Sequence, residues 1–74
     1  MAREYLKKLR CDKQMTLQEA ADGLDISKQY YHMIETGERQ RNMDLTLVSK
    51  LSALFGVSID EIIRYESELQ TTNE

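Results

Sequence analysis

Apolar residues recur every three to four positions in five separate stretches, the spacing of one helix face each. Tyr5, Leu6 and Leu9 give such a face to a first helix between about Ala2 and Lys13. Leu17, Ala20, Ala21 and Leu24 give one to a second, and Tyr31 and Ile34 to a third. Leu45, Val48, Leu51 and Phe55, flanked by Leu47 and Leu54, mark a fourth, and Ile59, Ile62 and Ile63 a short fifth. The polar positions punctuate these stretches. Thr16 with Glu19, and Ser58 with Glu61, have the spacing of capping boxes, in which each side chain bonds the other's backbone amide. Ser27 and Asp44 are suited to N-cap the third and fourth helices. Gly23-Leu24-Asp25 breaks the second helix, and Gly37 and Gly56 stop the third and fourth by taking a left-handed conformation. Beyond Tyr65 the chain turns polar (ESELQTTNE), too poor in apolar surface to fold alone. The division expected is one domain over residues 1–66 and a frayed polar tail over 67–74.

No run alternates as a half-buried strand does, and proline is absent, so the chain is all-α, a compact five-helix bundle. At 74 residues there is room for one modest core. No apolar stretch approaches membrane-spanning length, so no membrane partner is expected. MAREYLKKLR lacks the long apolar segment of a secretory signal. The single cysteine, Cys11, cannot pair within the chain, which fits a reducing, cytoplasmic setting.

Catalytic chemistry has little to work with. There is one histidine, no metal-ligand spacing, no phosphate-cradling glycine loop and no nucleophile–base–acid set, so neither an enzyme nor a metal or cofactor is expected. Net charge is −3, against the basic footprint usual for nucleic-acid binders. Its distribution changes the picture. Residues 1–50 hold nine Lys/Arg against eight Asp/Glu, whereas residues 51–74 hold one against five. The acidity therefore sits at one end of the chain, and global charge does not decide local potential.

Thr16 to Gly37 is the outline of a helix-turn-helix: two short capped helices, a tight turn between them, and small Ala21 where they cross. In such a motif the outer face of the second helix enters a DNA major groove. With Tyr31 and Ile34 inward, the outward stripe is Lys28, Gln29, His32 and Met33, with Tyr30 beside it. Gln29 suits a bidentate pair with adenine, Lys28 a guanine or phosphate, His32 a base edge, and Met33 a thymine methyl. Thr16 and Ser27 sit at helix N-termini, where amides and the helix dipole favour a phosphate. Arg39, Gln40, Arg41 and Asn42 follow in a polar loop suited to backbone contacts that set register without reading sequence. The plainer alternative is that the stripe is an ordinary solvated helix face and the arginines ordinary loop charges.

Several of these pieces, in order and at these spacings, resemble the Cro/repressor-type helix-turn-helix proteins, the phage-repressor-like (XRE) transcription regulators of bacteria. They are Leu6-x-x-Leu9-Arg10, Met15-Thr16, Ala21, Leu24 with Ile26-Ser27, Ile34-Glu35-x-Gly37, Leu51, and Phe55 through Ile62. The resemblance implies the lambda-repressor-like fold, with the third helix in the major groove and binding as a twofold dimer to a near-palindromic operator. It also implies an ion pair between Arg10 and Glu35. The chain departs from the family pattern at Leu17, where glutamine usually touches phosphate, and at Asp25, where glycine is common. Thr36 stands where asparagine is frequent, and the loop after the third helix lacks the usual proline.

Leu47, Leu54, Ile59, Ile63 and Tyr65 exceed what one face of each helix can hide. Ile59, Ile63 and Tyr65 are therefore the expected core of a homodimer interface. The function implied is sequence-specific binding of double-stranded DNA as a dimer, regulating transcription as a repressor. Two alternatives stay open. One is an antitoxin that binds a small toxin and also its own promoter; the other is a protein-interaction module that keeps the fold without DNA binding.

Overall fold

A computed structural model describes residues 2–40 and 43–71, which form five α-helices and no strand. They are α1 (Glu4–Asp12), α2 (Leu17–Leu24), α3 (Lys28–Thr36), α4 (Leu45–Phe55) and α5 (Ile59–Thr71). Polar caps set the boundaries. Thr16 accepts from the Glu19 amide while the Glu19 carboxylate accepts from the Thr16 amide, a complete capping box at the start of α2. Ser27 accepts from Tyr30 N, Asp44 from Leu47 N, and Ser58 from Glu61 N. Gly37 (φ 87°) and Gly56 (φ 68°) close α3 and α4 in the left-handed region, which glycine enters without a side-chain clash.

The core draws on every helix. Leu6 of α1, Ala20, Ala21 and Leu24 of α2, Tyr31 and Ile34 of α3, Leu47, Val48, Leu51 and Phe55 of α4, and Ile62 of α5 are all buried. Small residues on α2 let its neighbours approach closely. The Leu54 side chain of α4 packs over Gly23, where an added Cβ would lie 2.6 Å from Leu54 Cδ1 and push that side chain aside. Leu47 lies in the core and Leu54 packs against it, so neither belongs to the apolar surplus. No helix among the described residues is long and apolar enough to cross a membrane.

Helix α5 departs most from expectation. It runs to Thr71, six residues beyond Tyr65, and is the longest helix in the fold. Residues 67–71 are thus helical rather than a frayed tail; residues 72–74 lie outside the described residues. The extension is anchored at Glu66, whose carboxylate accepts from Arg3 Nε at 2.7 Å and from the Tyr5 hydroxyl. The Tyr5 ring stacks on Tyr65, with centroids 4.7 Å apart. Burial, and then the Glu66 carboxylate, push the Tyr5 phenol far above its ordinary pKa, so it keeps the proton it donates.

Candidate nucleic-acid interface

Helix α3 is placed by what it buries. Tyr31, Ile34 and Glu35 face inward. Three to four residues make a turn, so the same phase turns Gln29 and His32 outward, and both are exposed, as is Lys28 at the first position of the helix. Tyr30 and Met33, three residues apart and so neighbours on one side of the helix, are half-buried beside this stripe, and Tyr30 also packs against the core. The turn that presents α3 is tight. Asp25 takes a left-handed conformation (φ 61°), and the amides of Asp25 and Ile26 bond back to Asp22 O and Ala21 O. Aspartate reaches this conformation more readily than most residues, which is how the turn closes without glycine.

The two helix starts differ electrostatically. At α2, the Thr16 amide is taken by the Glu19 carboxylate, 2.8 Å away, which places negative charge where a phosphate would dock. The first turn of α3 contains no acidic residue and begins with Lys28. Its leading amides have no acceptor within the helix, and the dipole there favours an anion. The start of α3 at Ser27 is therefore the more favourable of the two for an anion, although Thr16 is exposed as well.

An ion pair buttresses the inner side of α3. Arg10 Nε donates to Glu35 Oε2 at 2.8 Å, and Arg10 Nη1 donates to Met15 O at 3.0 Å. Bonding to Glu35 raises the Arg10 pKa. The pair ties α1 and the α1–α2 loop to the last turn of α3, which fixes the pitch of the exposed stripe. The Tyr31 hydroxyl is buried beside it and makes no hydrogen bond of good geometry. Burial, and then Glu35, push its pKa far upward, so it remains a neutral phenol.

The loop after α3 separates the residues expected to contact phosphate. Arg39 is exposed. The Gln40 side chain is engaged within the protein: its Nε2 donates to the Tyr30 hydroxyl at 2.8 Å and its Oε1 accepts from Asp44 N at 3.2 Å. The same bond commits the polar end of Tyr30, leaving it at the margin of the stripe. Arg41 and Asn42 lie outside the described residues. At the opposite end of the chain, Ile59 and Ile63 are exposed, Ile63 by 51%, whereas Tyr65 is half-buried under its stack with Tyr5. Leu45, expected on the apolar face of the fourth helix with Val48, Leu51 and Phe55, is instead exposed at the first position of α4, and Leu47 takes the core place.

Arg3 had no signal in the sequence. It is only 3% exposed, an unusual state for an arginine. Its guanidinium donates to Ile34 O (2.8 Å), Arg39 O (3.1 Å), Gln40 O and the Glu66 carboxylate, and its amide donates to Glu35 O at 2.7 Å. It thus caps the C-terminal end of α3 with positive charge, where the dipole favours it.

A protein-family model described as helix-turn-helix matches residues 6–62. No curated protein and no solved structure matches the chain.

Proposed function

Because the chain belongs to the Cro/C1-type helix-turn-helix family of DNA-binding transcription regulators, we propose that it binds a near-palindromic double-stranded operator as a homodimer and represses transcription by occluding the promoter. The observation that carries this reading is the outward stripe of α3. Lys28, Gln29 and His32 are exposed together on a helix whose other face is held by Tyr31, Ile34 and the Arg10–Glu35 pair. A rigid helix with donors and acceptors along one edge suits direct reading of the major groove. In this reading Gln29, Lys28 and His32 address base edges, with Met33 offering an apolar contact and Tyr30 only its ring margin. Ser27, Thr16 and Arg39 address phosphates. Arg41 and Asn42 join them on sequence grounds alone. Ile59 and Ile63 form the core of the dimer contact, with Tyr65 at its margin.

Selection of duplexes from a random pool by the purified protein tests the reading. Enrichment of a site with two related half-sites, about one helical turn apart, is the expected outcome. Recovery of a random pool after several rounds, with no salt-dependent retention, would overturn it.

A further inference from the structure

Arg3 stands apart from every residue so far given a role in binding, yet its contacts converge on the segment that follows the reading helix. Its guanidinium holds the main-chain carbonyls of Ile34, Arg39 and Gln40, and its fourth partner, Glu66, belongs to α5. The segment needs holding. The chain contains no proline, so no ring restricts this loop. Gln40 has φ 57°, a left-handed conformation unfavourable for a residue with a long side chain. Gln40 in turn ties Tyr30 of α3 to the amide of Asp44, the N-cap of α4. Loosening the Gln40 carbonyl would release both ends of this brace.

We propose that Arg3 is a positioning residue for DNA binding: it pre-shapes the Arg39–Gln40 loop against the end of α3 and against α5, so that binding does not have to order that loop. The inference rests on the DNA-binding reading above and extends it to a residue that does not touch DNA. Arg3 is buried, and its donors are already spent on protein acceptors. Its effect must pass through the loop. A planar guanidinium can bridge this many acceptors at once, whereas a lysine ammonium is a compact point charge with three donors.

The test compares wild type, Arg3→Lys and Glu66→Gln on the selected duplex, with binding measured over a salt series and amide exchange followed at Arg39, whose N–H bonds to Met33 O. Positioning predicts that folded Arg3→Lys binds about tenfold more weakly at every salt concentration, with the same slope of log affinity against log salt. It also predicts faster Arg39 exchange in the free protein, slowed again by DNA. A slope reduced by about one, the signature of a lost phosphate contact, would overturn the proposal. So would unchanged affinity well below a lowered melting temperature, which marks a merely structural residue. If Arg3→Lys proves unfolded by circular dichroism, Glu66→Gln decides, because it loosens the guanidinium while leaving the three carbonyl contacts. A severalfold loss with unchanged slope supports positioning, and wild-type affinity refutes it. Failure of the wild type to bind any duplex removes the DNA-binding reading itself; normal binding by both variants removes only the role of Arg3.

Discussion

Gln29 carries the most discriminating chemistry at the scale of single residues. Its amide matches the donor–acceptor edge of adenine, so Gln29→Ala should cost about 1–3 kcal/mol on the specific site and relax one base preference. Equal losses on specific and random duplex, in a competition binding assay, would take Gln29 out of base reading. Tyr31 offers a separate test of the interior. Its hydroxyl is buried without a well-formed hydrogen bond, so Tyr31→Phe should leave stability unchanged or raise it by up to about 1 kcal/mol in urea unfolding. A clear loss would show that the hydroxyl supports the Arg10–Glu35 pair. The phase of α3 was legible in the sequence because Ser27 fixes where the helix begins, and Tyr31 and Ile34 fix which side is buried. Arg3 was not legible. Its acceptors are mostly main-chain carbonyls more than thirty residues away, and carbonyls carry no sequence signal. The brace made by Gln40 was hidden for a related reason: a polar loop side chain looks the same in sequence whether it faces solvent or bonds its own fold.

Caps carry most of the information at the scale of elements. Thr16, Ser27, Asp44 and Ser58 each accept an amide of the following turn, so four of the five helix starts could be located from polar residues beside an apolar repeat. Helix α1 is the exception, since its N-cap, Arg3, makes no side-chain cap bond. The end of α5 was hidden as well, because propensity within ESELQT is tolerant of helix but the anchoring partners, Arg3 and Tyr5, come from the other end of the chain. A cap mutation at α3 therefore probes stability and presentation together. Ser27→Ala should destabilise the fold by about 1 kcal/mol in thermal or urea unfolding. It should also weaken specific and random duplexes alike, since the proposed function assigns Ser27 a phosphate contact. A change in base preference with unaltered stability would contradict that placement.

The whole molecule separates two surfaces: the α3 stripe, and the exposed apolar pair Ile59 and Ile63 on α5. The acidic C-terminal third carries that second surface, and its carboxylate nearest the loop after α3, Glu66, is paired with the Arg3 guanidinium, so the net charge of −3 does not measure the local potential at α3. Arg3 connects the two regions, holding the loop after α3 and Glu66 of α5 in one guanidinium. If α5 mediates dimerisation, two weakly binding stripes act as one bivalent reader, and tethering can raise overall affinity by about 10²–10⁴ without a new contact to DNA. Ile63→Glu tests this directly. Ile63 is half exposed in the single chain, so the substitution should leave the fold intact, with a change in stability within about 0.5 kcal/mol. Buried against a second copy, the new carboxylate would meet its counterpart across a twofold axis and would be desolvated, which strongly disfavours the dimer. The variant should sediment as a monomer at concentrations where wild type is dimeric. It should keep its affinity for an isolated half-site while losing about two to four orders of magnitude on the full palindrome. A wild-type protein that sediments as a strict monomer with and without DNA, or a variant with undiminished affinity for the full site, would place the dimer contact elsewhere or remove it.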